Sequence, residues 1–330
     1  MIGPRLALVL SSTTGDAVQA KSWIRIGLSV AMGLAILYRI PVHSLESAAR
    51  GINFSWLGAA LVCTGGMLAA RSYRWHRLLG AGGVGSTRTD TARSLLAGFT
   101  LSLVTPGRVG ELGRCLFVKE ESRARVLMLT LLDRGLDSWA LASCGVLSLM
   151  ALKARPYGIF ALGVWLTMLP VVMGMPTLLA HLASVRWWPA SLRVGLSEAA
   201  RCVKGISTPT FASWALVSTS FDMLTFFCLL RAFQRVSLMA AVIAFPWIIM
   251  AGGLPISISG IGPREGVAAM ILAQFAFPSA AAIDVGLLLW AVTAVLPAFA
   301  GGIWLVASGA ALPRLSWSAT YANTGANDAA

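Results

Sequence analysis

Apolar runs close to the length of a bilayer crossing recur along this chain, separated by short polar segments rich in Arg and Lys. They fall at Ile24–Ile40, Phe54–Ala70, Val126–Leu152, Tyr157–Ala180, Pro209–Leu230, Val236–Gly252 and Ile283–Ala307, with a shorter one at Val267–Phe277. The pattern predicts an all-α integral membrane protein, a polytopic bundle of about 7–8 transmembrane helices. Residues 1–22 read as a cytoplasmic tail, 23–310 as the transmembrane domain and 311–330, ending in small polar residues, as a disordered tail.

Two stretches interrupt the pattern. The first is Ser102-Leu-Val-Thr-Pro-Gly-Arg-Val-Gly-Glu-Leu-Gly-Arg114; the second is Gly253-Leu-Pro-Ile-Ser-Ile-Ser-Gly-Ile-Gly-Pro-Arg-Glu-Gly266. Each sets Arg near Glu on backbone that Gly and Pro keep from continuing as a plain helix. Inside a membrane such backbone persists only where protein buries it or where it lines a wet cavity. A matched pair of breaks, one in each half, points to a transporter's binding site. The apolar segment Ser94–Val104 is too short to span, so two re-entrant, Gly/Pro-broken half-helices are expected.

The breaks supply most of the candidate substrate-binding residues. A helix restarting after Pro106 and Gly107 places Arg108, Glu111 and Arg114 three residues apart, within reach of one another. Its free N–H groups and two guanidiniums would suit phosphate or carboxylate. The second break offers the hydroxyl of Ser257 after Pro255, then Gly260 and Gly262, with Arg264 and Glu265 in the first turn of a helix opened by Pro263.

A third cluster, Asp133, Arg134 and Asp137, lies inside an apolar segment, with Thr130 on the same stripe. Three charges at the bilayer centre cost roughly 8–10 kcal/mol, against roughly 3–6 kcal/mol from the Leu and Val around them. A lipid-facing position is therefore excluded. They face the interior, where they would partner the arginines of the two breaks, or they lie near water. Secondary candidates are Arg71, Arg74 and Trp75, read as an interfacial anchor after the second span, and Asp222, an isolated intramembrane carboxylate. Asp284 reads as the interfacial start of the last span.

Composition agrees with the pattern. Hydrophobic residues make up 57% of the 330 and charged residues 12%, with a mean hydropathy of +0.77. The net charge of +13 would suit nucleic acid in a soluble protein. With the N-terminus in the cytoplasm, however, the ten Lys and Arg from Arg71 to Arg125 fall inside and only Arg39, Arg50, Lys153, Arg155, Arg231 and Arg235 outside. That asymmetry fits the positive-inside rule for a cell inner membrane, with anionic lipid rather than nucleic acid as partner. Five Cys and three His share no ligand spacing, so no metal site is read. Gly80-Ala-Gly-Gly-Val-Gly85 matches a dinucleotide pattern without a preceding strand and is rejected. No phosphate-binding lysine loop or nucleophile–base pair is visible, so no cofactor or ATPase is expected.

Arg74-Trp-His-Arg-Leu-Leu79, Thr105-Pro-Gly-Arg-Val-Gly-Glu-Leu-Gly-Arg114, Leu132-Asp-Arg-Gly-Leu-Asp137 and Gly253 through Glu265 together resemble the flippase-like family defined by the membrane region of lysylphosphatidylglycerol synthases. The order and separation of these motifs match over roughly residues 20–310. The resemblance implies a multi-pass lipid-handling fold with two re-entrant elements meeting in the membrane. It implies movement of a phospholipid, glycolipid or polyprenyl-linked lipid between leaflets, although the chain has no counterpart of the family's soluble aminoacyl-transferase domain. The alternatives are a membrane-embedded glycosyl or lipid-modifying transferase and a non-catalytic partner of a lipid-modifying enzyme.

Overall fold

A computed structural model describes residues 52–105, 109–118, 123–152, 174–185, 207–254 and 260–307, with single positions between 159 and 201. The expected span Ile24–Ile40, most of Tyr157–Ala180 and both expected tails lie outside the described residues. Every described element is helical.

Helix α1 runs Phe54–Ala81, starting where the Asn53 side chain accepts from Ser55 N at 3.1 Å. It ends where Gly82 N bonds the Leu78 carbonyl and Gly83 takes φ +76°, a left-handed conformation that glycine adopts without steric penalty. Helix α2, Arg88–Val104, is capped by Thr87, whose hydroxyl accepts from Asp90 N at 3.1 Å. A 310 helix, Val109–Phe117, follows. Helix α3 spans Arg123–Ala151 and a short α4 spans Met175–Ser184.

Helix α5 is Thr208–Phe233. Helix α6, Leu238–Gly252, contains Pro246, and α3 stitches that region in place: Ser148 Oγ donates to the Ile243 carbonyl at 2.8 Å and accepts from Trp247 Nε1 at 2.9 Å. Helix α7, Pro263–Leu272, opens with proline as the sequence predicts. Helices α8, Ser279–Trp290, and α9, Leu296–Ala307, are joined by a π turn at Ala291–Val295. Asp284 is buried inside α8, which begins at Ser279, rather than starting a span at the interface.

Among the described residues three helical stretches are long and apolar enough to cross a membrane: Phe54–Ala81, Thr208–Phe233 and Ser279–Ala307. The 29-residue α3 has comparable length but carries Asp133, Arg134 and Asp137. The expected spans Val236–Gly252 and Val267–Phe277 are short helices of 15 and 10 residues. At 1.5 Å per residue α6 measures about 22 Å, less than the roughly 30 Å hydrocarbon core.

Lipid is as apolar as Leu, so close packing of small residues holds such helices together. Gly66 of α1 lies under the Phe221 ring of α5, where a Cβ would come within 2.7 Å of ring carbon. Gly301 of α9 meets the Leu96 carbonyl of α2, at 2.3 Å from a hypothetical Cβ, and Thr100 Oγ1 donates to Ala298 O across the same contact at 2.8 Å. Two buried cores result. One gathers Trp75, Leu79, Phe99, Leu132 and Trp139 around α1, α2 and α3. The other gathers Phe226, Phe245, Leu272 and Leu289 around α5 to α8.

Candidate functional site: a buried network of ion pairs

The 310 helix folds back along α2. Gly98 lies against Arg114 and the Glu111 carbonyl, while Gly110 and Gly113 lie against Leu101. A Cβ on Gly110 would sit 2.2 Å from the Leu101 carbonyl oxygen, so only glycine fits. Thr105 Oγ1 closes the bend by accepting from Gly110 N at 2.6 Å. The stretch is 310 rather than the α-helix that spacing suggests. Glu111 and Arg114 consequently turn to α3 for partners instead of pairing with each other in series.

Asp133 is the centre of the arrangement. Its Oδ1 accepts from Arg74 Nε at 2.7 Å and its Oδ2 from Arg114 Nη2 at 2.6 Å. Arg134 Nη2 is 3.2 Å from the same Oδ2. Asp137 receives Arg74 Nη2 at 2.5 Å and Arg134 Nη2 at 2.7 Å, and Glu111 pairs with Arg134. Arg74 and Arg114 are 0% and 1% exposed and Asp133 is 1% exposed. Among the described residues three guanidiniums thus meet three carboxylates, and their charges balance. An unpaired ion here would carry a desolvation cost of several kcal/mol.

Trp75 supports the cluster. The Arg114 guanidinium lies 4.0 Å from the centroid of its ring, a cation–π contact strengthened by the absence of water. Its Nε1 donates to Ser94 Oγ on α2 at 3.0 Å. Toward the other core, Arg71 Nη2 pairs with Asp222 Oδ2 on α5 at 2.8 Å.

Several sequence expectations are met and others corrected. Asp133 and Asp137 do face the interior and take an arginine of the first break, but their partners are Arg74, Arg114 and Arg134, not Arg264. Thr130 is buried on the expected stripe, yet its hydroxyl bonds its own helix at Val126 O, 2.8 Å. Arg74 and Trp75 are not an interfacial anchor, because α1 continues eleven residues past Ala70 and buries both. Their central role was readable in part: Ala60, Thr64, Met67, Ala70, Arg74 and Leu78 form one stripe at helical spacing. Asp222, the isolated carboxylate, finds Arg71.

At the second break Gly260 has φ +80° and Gly262 φ +100°. Gly260 packs on the backbone of Gly252, where a Cβ would lie 2.2 Å from the carbonyl oxygen. The Arg264 side chain lies against Gly252, and Glu265 Oε2 accepts from Gly262 N at 2.6 Å, capping α7. Arg264 and Glu265 are buried, at 5% and 6% exposure. Pro106, Gly107, Arg108, Pro255 and Ser257 lie outside the described residues.

No curated protein matches this chain. Residues 22–301 match the pattern of one protein family, described as the lysylphosphatidylglycerol synthase TM region. That match covers both breaks, the acidic segment of α3 and most of the membrane part, and on it the chain belongs to the family of the lysylphosphatidylglycerol synthase TM region.

Proposed function

We propose that this membrane protein is a lipid translocase or scramblase, moving an anionic or modified lipid between leaflets of a cell inner membrane. The observation that carries the reading is the buried ion network of Arg74, Arg114, Arg134, Glu111, Asp133 and Asp137 among apolar helices. Ionisable groups at membrane depth are costly and mark substrate pathways. Packing of the same helices by apolar residues would have avoided the cost.

The two hairpins, α2 with the 310 helix and α6 with α7, serve as re-entrant elements. At 17 and 9 residues, α2 and the 310 helix reach about 26 and 18 Å, short of a bilayer. Half-helices of this kind bring polar backbone to the midplane in transporters. Because the arginines are already matched, an arriving phosphate competes with Asp133, Asp137 and Glu111 for guanidinium donors rather than filling a vacant cation site. Arg114 has two buried donors, Nε and Nη1, without a hydrogen-bond partner among the described residues, and these receive the phosphate first. The exchange of carboxylate for phosphate loosens the 310 hairpin from α3 and couples headgroup binding to rearrangement. Arg264 and Glu265 serve the same headgroup from the second hairpin. A cationic aminoacyl group would be met by the displaced carboxylates.

The test is leaflet exchange of labelled anionic, aminoacylated and polyprenyl lipids in proteoliposomes, for the wild type, Arg114→Ala and Arg264→Ala. Arg114→Ala leaves Asp133 with two arginines but unbalances the cluster, so Arg114→Lys is measured beside it and only folded variants are compared. Exchange by the wild type and its loss in folded variants is the expected result. Exchange unchanged in both variants removes these residues from the pathway. No exchange of any lipid by folded wild type overturns the reading.

A further inference from the structure

A cavity of about 560 Å³ lies away from the buried network, between the end of α1 and the start of α5. That volume is typical of ligand sites. Tyr73, His76 and Arg77 line one side, and Ser207, Thr210 and Trp214 the other. No Asp or Glu is among the described residues that line it. Arg77 is exposed and has no ion-pair partner among the described residues, unlike Arg71, Arg74, Arg114 and Arg134. It is thus a cation without local neutralisation, one helical turn beyond Arg74.

The remaining walls suit an anion with an apolar tail. The N-terminal turn of the 26-residue α5 opens onto the cavity, its positive dipole end marked by Ser207 and Thr210, whose hydroxyls are 3.0 Å apart. The opposing C-terminal carbonyls of α1 at Leu78, Leu79 and Gly80 are bonded by Gly82, Val84 and Gly83 N–H groups, which quenches the negative end. His76 Nδ1 lies 3.3 Å from Thr91 Oγ1, whose own proton goes to the Thr87 carbonyl at 2.8 Å. Thr91 thereby holds the His76 ring at the edge of the cavity. Tyr73 and Trp214 face each other with centroids 4.6 Å apart, an amphipathic pair of the kind that settles at headgroup level.

The geometry points to a phosphate-binding site at this cavity, held by Arg77 with Ser207 and Thr210, and bordered by Tyr73 and Trp214 for the carbon chain next to the phosphate. The shared chemistry is a singly charged phosphate, supplied by a lipid headgroup or by phosphate in solution. Resting on the translocation reading, the cavity is where a headgroup docks before it reaches the buried network.

The experiment uses full-length protein in nanodiscs of digalactosyldiacylglycerol, a bilayer lipid without phosphate, carrying a trace of photoactivatable phosphatidylglycerol. Crosslinked peptides that include Tyr73 to Ala81 or Ser207 to Trp214 are quantified. Arg77→Gln is expected to lower their yield about tenfold, the loss of one charge-assisted contact, while Arg77→Lys retains it and a photoactivatable digalactosyldiacylglycerol probe, which has no phosphate, labels wild type and both variants alike. Displacement of the probe by millimolar inorganic phosphate would identify solution phosphate as the source; resistance to it would identify the lipid. Equal labelling of wild type and Arg77→Gln overturns the proposal. Should Arg77→Gln fail to fold, Ser207→Ala with Thr210→Ala replaces it, and undiminished labelling there overturns the proposal equally. Labelling that depends on Arg77 in a protein without leaflet exchange would keep the site and remove the translocation reading. Exchange with labelling independent of Arg77 would do the reverse.

Discussion

Asp133 Oδ1 accepts the Nε–H of Arg74, 59 residues away in the chain, at 2.7 Å between two helices, and neither side chain meets solvent. The contact joins α1 to α3 at the level where the 310 helix delivers Arg114 to the other oxygen of the same carboxylate. One carboxylate therefore ties three elements together, and its charge is the feature on which the local packing depends.

Asp133→Asn is expected to destabilise the protein by about 3–5 kcal/mol, since it leaves buried arginines without their shared counter-charge. Asp90→Asn, which removes an exposed pair with Arg93 at 3.7 Å, is expected to cost about 0–1 kcal/mol. Thermal unfolding of the two variants in the same detergent checks the contrast. Equal midpoints would contradict it.

Glycine positions divide by what surrounds them. Gly110→Ala places a methyl 2.2 Å from the Leu101 carbonyl and is expected to open the hairpin of α2 and the 310 helix. Gly135→Ala meets nothing within 4 Å inside α3 and is expected to stabilise by about 0.5–1 kcal/mol through helix propensity. Protease sensitivity of residues 101–114 and unfolding midpoints distinguish the two.

Arg71 and Asp222 pair across α1 and α5 at 2.8 Å. A double-mutant cycle with Arg71→Ala and Asp222→Ala is expected to give a coupling of about 0.5–3 kcal/mol, the double variant losing less than the sum of the singles. Strict additivity would show that the pair contributes nothing.

Trp75 has two separable duties. Trp75→Phe keeps an aromatic face under Arg114 and loses the bond to Ser94, at a cost of about 1 kcal/mol. Trp75→Leu loses both and is expected to cost more, by about 0.5–2 kcal/mol. Reversal of that order in unfolding measurements would discard the cation–π contact as a stabilising element.

Glu111→Gln frees Arg134 from one carboxylate. Under the translocation reading, an anionic lipid then meets a net positive cluster, is retained more strongly and crosses more slowly. Co-purified anionic lipid per protein and the rate of leaflet exchange report the two effects together; faster exchange with less retained lipid would contradict the exchange of carboxylate for phosphate.

The sequence by itself determined the class of this protein, because the length of an apolar run and the cost of a charge in hydrocarbon are properties of the chain and the bilayer alone. It also determined where the backbone turns, since Gly260 and Gly262 occupy left-handed conformations that side chains rarely adopt, and that Asp133 and Asp137 do not face lipid. Tertiary structure decided the partners. Whether Arg114 meets Glu111 or Asp133 depends on a 310 rather than an α pitch, and that pitch follows from packing Gly110 and Gly113 on Leu101. Arg74 moved from an expected interfacial anchor to the centre of the network because α1 continues through Arg71–Ala81, and a charge tolerates that depth only when another helix supplies the opposite one. Periodicity assigns a residue to a face, but the neighbour across that face comes from elsewhere in the chain.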